Sequence, residues 1–373
     1  MIKVAKASVG NEELIEIKEA LDYGYFGLAY KVNELEKEIA AYLNTNKNVV
    51  CCANGTSALH LALDALGIGP GDEVIVPSFT FVATAQAVKM VGAIPVLCEI
   101  NKDDFLIDVN DARKKITKRT KAIIPVHYAG NVCDMDSLLK IKEETGIRII
   151  EDAAHAFGSF YKNKKVGSFG DITCFSFDSI KVMTCGEGGA IVTEDDELAD
   201  LIKQKRLLGI DRKTMHVKDW KQRSWMYDVK TEGYRYHMSN INAAIGLAQI
   251  KKINSFIVRR REICDQYIKE LDGVDGIAFE NSDWNLVAPF MFPILVSDIN
   301  KRDSLRDYLK ENDIETGISY IPLHRFELFK DDRDLFPNTE FVFSRIVCLP
   351  IHPCLTNEDI SFICAKIKVF FNE

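Results

Sequence analysis

Asp152 and Lys181 pair a carboxylate with an amine, each just past a short apolar run. The first run, Ile149–Ile150, ends in Glu151–Asp152; the second, Ile172 to Phe177, contains Ser176. His155 lies three residues after Asp152, and Gly186-Glu187-Gly188-Gly189 follows Lys181. A lysine whose ammonium is desolvated gives up its proton and can form a Schiff base with an aldehyde. A carboxylate beside a basic ring nitrogen keeps that nitrogen protonated and the ring electron-withdrawing. One cofactor, pyridoxal 5'-phosphate, needs both. Taken singly, each residue has a plainer reading: Asp152 as a helix cap, Lys181 as a solvated surface lysine.

Both residues need strands to carry them. Short apolar runs alternate with amphipathic segments over the first two-thirds of the chain, as in a mainly parallel sheet covered on both faces. Strands are expected at Asn48–Ala53, Glu73–Val76, Gly92–Ile100, Lys121–Val126, Arg148–Ile150 and Ile172–Phe177. In such sheets ligands lie beyond the carboxyl ends of the strands, where Asp152 and Lys181 fall. His127 and Tyr128 follow another strand and are expected to border the same site.

Asn54-Gly55-Thr56-Ser57 links a strand to a helix. Free N–H groups at a helix start bind anions; Gly55 permits close approach, and Thr56 and Ser57 add hydroxyls. The competing reading is an ordinary helix cap. Glu12–Asp22 predicts an amphipathic helix with Leu14, Ile15, Ile17 and Leu21 on its apolar side. Residues 101–116 read as a polar excursion, and 210–229 as a long loop of the kind often tied to function. Ser239 is expected to cap a long helix. The remaining segments suit a small α+β domain.

The chain has 373 residues, 47% of them hydrophobic, enough for a large domain and a smaller one. A net charge of −8 argues against a nucleic-acid partner. Ten cysteines without disulfide-ladder or CxxC spacing suggest buried free thiols in a reducing compartment. No apolar run is long enough to span a bilayer and no signal-peptide core is present. A cytoplasmic location is expected, with no metal site, since no ligand spacing occurs.

EDAAHA, FSFxxxK and GEGGAIVT resemble the DegT/DnrJ/StrS nucleotide-sugar aminotransferases, and the resemblance runs from about residue 26 to 356. It implies the α/β fold type I aminotransferase architecture: a large domain with a mainly parallel seven-stranded sheet (1–248) and a smaller C-terminal α+β domain (249–373). It implies Lys181 and Asp152 as catalytic residues. Gly55, Thr56, Ser57, Phe81, His155, Ser176 and Arg235 join them around pyridoxal 5'-phosphate, with pyridoxamine phosphate as the intermediate form. Phe81 would stack on the ring, and His155 would lie near its phenolic oxygen. Phe26, Glu187, Tyr320 and His324 become substrate candidates; Tyr25 and Tyr30 are weaker ones. Family members are homodimers in which an asparagine reaches the partner's cofactor phosphate. Here Arg235 stands at that position, with His237 where an arginine is usual.

The implied reaction is amination, with glutamate as donor, of a keto-deoxysugar carried on a nucleotide, dTDP or UDP. The lysine at 181 separates the chain from sugar dehydratases, which have histidine there. The GEGG turn resembles members that aminate C4 of a 4-keto-6-deoxy sugar, as in surface polysaccharide or lipopolysaccharide O-antigen synthesis. Asp178 departs from the histidine of many members. Amination at C3, or a non-enzymatic cofactor-binding sensor, are the alternatives.

Overall fold

The apolar runs pair side by side into one sheet. The computed structural model describes residues 1–211, 227–280, 282–330 and 335–372. Helices α1 (Asn11–Tyr23) and α2 (Tyr30–Leu43) lead into β1 (Asn48–Cys52). Then come α3 (Gly55–Ala65), β2 (Glu73–Pro77), α4 (Val82–Met90), β3 (Ile94–Cys98), α5 (Val109–Lys114), β4 (Thr120–Ile123), α6 (Met135–Thr145) and β5 (Arg148–Asp152). A hairpin, β6 (Phe160–Tyr161) and β7 (Lys164–Lys165), precedes β8 (Ile172–Ser176), β9 (Gly189–Thr193) and α7 (Asp196–Lys205).

The seven-stranded sheet has the order β1-β9-β8-β5-β4-β2-β3. From β8 to β3 neighbours are parallel; β9 is antiparallel to both β8 and β1. The carboxyl ends of β1, β2, β4, β5 and β8 and the amino end of β9 therefore share one edge. Side chains alternate between the two faces with a period of two. Ile75 and Ile149 join α2 residues such as Leu35 and Ile39 on one side. Val74, Val76 and Ile150 join Leu61 of α3 and Ile202 of α7 on the other. Both faces are covered, which is why these strands read as continuous apolar runs. Cutting a residue such as Ile150 back to alanine would cost about 2–5 kcal/mol.

Short strands β10 (Ile210–Asp211) and β11 (Asp228–Val229) pair with each other. The loop expected at 210–229 otherwise lies largely outside the described residues. Next come α8 (Asn240–Leu271), β12 (Ile277–Phe279), β13 (Phe292–Val296), α9 (Lys301–Glu311), α10 (Pro337–Phe343), β14 (Ile346–Leu349) and α11 (Asn357–Asn372). Strands β12, β13 and β14 form a second, antiparallel sheet.

Ser239 caps α8 as expected, its hydroxyl accepting from Asn242 N at 3.1 Å. The helix then runs for 32 residues. Ile250, Ile253 and Ile257 pack into the large core; Ile263, Cys264, Tyr267 and Leu271 pack into the small one. The expected division after residue 248 thus lies inside a helix shared by both. Between the two sets, buried Arg260 donates to the carbonyls of Pro289 (3.2 Å), Phe290 (3.4 Å) and Ile351 (3.1 Å).

Two expectations are revised. The apolar stripe of α1 faces outward: Leu14, Ile15 and Leu21 are exposed, while Glu13 and Ala20 are buried. Polar contacts to α8 decide this orientation, with Gln249 donating to Glu13 and to Ser8 O, each at 2.7 Å, and Lys252 2.5 Å from Glu13. The polar excursion at 101–116 contains α5, started by Asp108, which accepts from Asn110 N and Asp111 N. All ten cysteines are free, nine of them buried. Among the described residues no helix is long and apolar enough to cross a membrane.

Candidate active site

A cavity of about 410 Å³ opens at the shared edge of the sheet. Its wall includes Gly55 and Thr56 after β1, Thr80 and Phe81 after β2, Asp152 and His155 from the end of β5, and Ser176 from β8. Asp178 and Lys181 follow β8, Glu187 precedes β9, and Tyr320 enters from the C-terminal part. Residues far apart in the chain meet here because the parallel strands all end on this side.

Asp152 is the deepest charge. Its Oδ2 accepts from Thr84 Oγ1 at 2.8 Å, and its Oδ1 from Ala154 N at 3.2 Å. Burial raises its pKa above the ordinary carboxylate range, while Thr84, Ala154 N and Lys181 pull it back. Lys181 Nζ lies 4.2 Å from the centroid of the Phe290 ring. Burial lowers its pKa to about 8, against the opposing pull of Asp152 and Asp178. Near neutral pH its amine is therefore within reach of the uncharged, nucleophilic form.

His155 stacks on Phe290, with centroids 4.4 Å apart. Its Nε2 pairs with Tyr320 Oη at 3.0 Å. Burial holds the imidazole well below its ordinary pKa, so it is neutral. Its Nδ1 is buried without a hydrogen-bond partner. Such an atom is costly unless something meets it. Phe81 is half exposed at the mouth, 5.5 Å from the Tyr320 ring.

The start of α3 supplies an anion cradle. A Cβ on Gly55 would meet Ser176 Cβ at 2.8 Å and Oγ at 3.1 Å; only glycine leaves this floor open. Ser57 departs from expectation. Its hydroxyl is engaged in the helix cap, with Asn54 N at 3.0 Å and Asn54 O at 2.7 Å, and its N–H donates to Asn54 Oδ1 at 2.8 Å. The capping reading is the realised one for Ser57, whereas Gly55, Thr56 and Ser176 face the cavity.

Other candidates lie outside the wall. His324 is held between Ser78 Oγ (2.6 Å) and Glu340 Oε1 (2.7 Å) and stacks on Phe336. His127 is fully buried: Cys133 N donates to its Nδ1 (3.3 Å), leaving Nε2 to donate to Glu151 (3.0 Å). Tyr128 is buried, its hydroxyl donating to Ser319 O. Phe26, Tyr25 and Tyr30 lie in or beside the α1–α2 connection, away from the cavity wall. Arg235 is exposed on the segment that bridges back to Leu207.

Two contributors escaped sequence reading. Thr84 lies 68 residues before the carboxylate it contacts, and Phe290 lies more than 100 residues after Lys181. Thr84 sits in the first turn of α4, and nothing in its local pattern points to Asp152. Phe290 likewise carried no local signal.

The set suits pyridoxal phosphate. It offers an amine able to be neutral, a carboxylate bonded at both oxygens, an unpartnered imidazole nitrogen and an open helix N-terminus. The family model for DegT/DnrJ/EryC1/StrS aminotransferases matches residues 7–368. The chain is 37% identical to GDP-perosamine synthase of Escherichia coli O157:H7, over 100% of this chain and 99% of that one. It is 34% identical to the spore coat polysaccharide biosynthesis protein SpsC of Bacillus subtilis, over 96% and 94%. The PMP-form of Spr1654, a putative sugar aminotransferase from Streptococcus pneumoniae, superposes with a TM-score of 0.94 at 29% identity, covering 100% and 99% of the two chains; its PLP-form is also similar. The chain belongs to the DegT/DnrJ/EryC1/StrS aminotransferase family and is a pyridoxal-phosphate-dependent transaminase of fold type I.

Proposed function

We propose that this transaminase moves an amino group from glutamate to the keto carbon of a nucleotide-linked deoxysugar. The observation that carries the reading is that Lys181 and Asp152 line one cavity together with Gly55 and Thr56 at the start of α3. Bound pyridoxal phosphate supplies the electron-withdrawing ring on which nitrogen is exchanged. Gly55 and Thr56 N–H groups and Ser176 would hold its phosphate, and Asp152 would hold the proton on its ring nitrogen. His155 Nδ1 would meet its phenolic oxygen, and Phe81 would cover one face. Lys181 Nζ would tether it and then carry a proton to and from the substrate carbon that bears nitrogen.

Names of relatives support a sugar substrate: one is a GDP-perosamine synthase, another a polysaccharide biosynthesis protein. The first adds GDP to the dTDP and UDP carriers expected from sequence. The GEGG turn supports amination at C4 of a 4-keto-6-deoxy sugar. A homodimer is part of the proposal, with the exposed Arg235 directed to the partner's cofactor phosphate. Unchanged cofactor affinity in Arg235→Ala would remove that contact.

The test of the reaction is direct. Purified protein is expected to be yellow, and borohydride should fix the cofactor on Lys181. Candidate keto sugars carried on GDP, dTDP and UDP, incubated with glutamate, should yield an amino sugar whose position is read by NMR. A Lys181→Ala variant with full activity would refute the assignment.

A further inference from the structure

Tyr320 reaches the cavity on a segment tied down on both flanks. Before it, Ser319 O accepts from the buried Tyr128 hydroxyl. After it, Leu323 N donates to Ser78 O at 2.8 Å, and His324 Nδ1 lies 2.6 Å from Ser78 Oγ. The Tyr320 hydroxyl thus has a fixed place, 3.0 Å from His155 Nε2. The imidazole is held as well, stacked 4.4 Å from Phe290 and tilted only 22° from the Tyr320 ring. Among the described residues this contact is the one side-chain hydrogen bond that either ring makes, and His155 Nδ1 has no partner.

A neutral imidazole carries one proton, so one nitrogen donates and the other accepts. Burial keeps His155 neutral. The contact then admits two directions. In the first, Nε2–H donates to the phenol oxygen, a weak acceptor because its lone pair is shared with the ring, and Nδ1 is left as a buried lone pair. In the second, the phenol donates to Nε2, a strong acceptor, and Nδ1 keeps the proton. Desolvation raises the pKa of Tyr320, so its O–H is always present to donate. The second direction pairs the better donor with the better acceptor. It also leaves an N–H at the unpartnered nitrogen, and the cofactor's phenolic oxygen assigned to that nitrogen above is an acceptor.

We propose that Tyr320 is a positioning residue: its hydroxyl donates to His155 Nε2 and so keeps the imidazole proton on Nδ1, where it serves the cofactor's phenolic oxygen. This rests on the contact given to His155 Nδ1 in the proposed function. The tautomer of a histidine is set by the bond its other nitrogen makes. Here the two bonds run in one direction, from phenol through imidazole to cofactor, and each polarises the next.

The experiment compares wild type with Tyr320→Phe, which keeps the ring and removes the hydroxyl. Nitrogen NMR of isotope-labelled histidine in the full-length, cofactor-stripped proteins reads the tautomer, with the His155 signals assigned by their loss in His155→Asn. Wild type should carry the proton on Nδ1. The ratio of the Nδ1–H to the Nε2–H form should fall about two- to tenfold in Tyr320→Phe, the worth of one hydrogen bond. Binding of pyridoxal phosphate and of 3-deoxypyridoxal phosphate, which lacks the phenolic oxygen, gives a second readout. The analogue should bind wild type less tightly, and that penalty should shrink about two- to tenfold in Tyr320→Phe. A merely structural tyrosine would weaken both ligands alike. Circular dichroism confirms folding. A wild-type proton on Nε2, an unmoved ratio in Tyr320→Phe, or an analogue penalty equal in the two proteins overturns the proposal. Equal wild-type affinity for the two ligands would instead count against the contact assigned to His155 above, whatever tautomer the NMR shows.

Discussion

Thr84→Val removes a hydroxyl and leaves a side chain of similar shape in α4. The lost bond, 2.8 Å to Asp152 Oδ2, is charge-assisted and buried. Bonds of this kind contribute about 1.5–3 kcal/mol. The Thr80 hydroxyl, 3.1 Å from Thr84 Oγ1, loses its partner in the same step. With one carboxylate oxygen unsatisfied, the ionised form of Asp152 becomes costlier and its pKa rises further. In the role proposed for Asp152, its hold on the cofactor's ring proton would weaken in step. If that energy is felt wholly in the transition state, the half-reaction with the amino donor slows about ten- to hundredfold. Stopped-flow absorbance reads that step directly. The sign with pH is also fixed. Asp152 has a folded pKa above its unfolded one, so its contribution favours the fold below the ordinary carboxylate range and is lost as pH rises through the raised value. Thr84→Val should therefore lose more stability at pH 8 than at pH 5 in urea titrations. A variant with wild-type rate and a pH-independent stability change would show that Thr84 does not support the carboxylate.

Gly55→Ala should weaken cofactor binding at least about tenfold, because the new methyl meets Ser176 at 2.8 Å; titration of stripped protein with pyridoxal phosphate checks this. Reloading of the cofactor should quicken as pH rises through about 8 and level off above it, following the neutral amine of Lys181, as followed by absorbance. The same group has a folded pKa below its unfolded one, so it costs stability at neutral pH and ceases to cost it above the ordinary lysine range. Arg260→Leu strands three buried carbonyls and should destabilise by about 2–5 kcal/mol in denaturant titration, with slower turnover because Phe290 is one of them.

Asp152 and Lys181 were legible because their chemistry is unusual for strand ends in an apolar context, and sheet geometry brings such ends together. Gly55 was legible for the same reason. Ser57 was not: a hydroxyl at a helix start serves the cap and an anion equally well in sequence, and only the bonds to Asn54 decide. His324 carries a polar ring that tertiary partners, Ser78 and Glu340, claim first. The outward stripe of α1 shows periodicity overruled by a polar dock, since Gln249 and Lys252 reward burial of Glu13 over Leu14. Thr84 and Phe290 depend on contacts between distant segments, which no local pattern encodes.

Helix α8 threads two cores without a break, so the two sheets ride on one rod. Their spacing cannot be adjusted by a floppy joint, because tilting one against the other would bend a hydrogen-bonded helix near Arg260. Tyr320, carried by the C-terminal part, is thereby held at a fixed reach from the strand ends that carry Lys181 and Asp152.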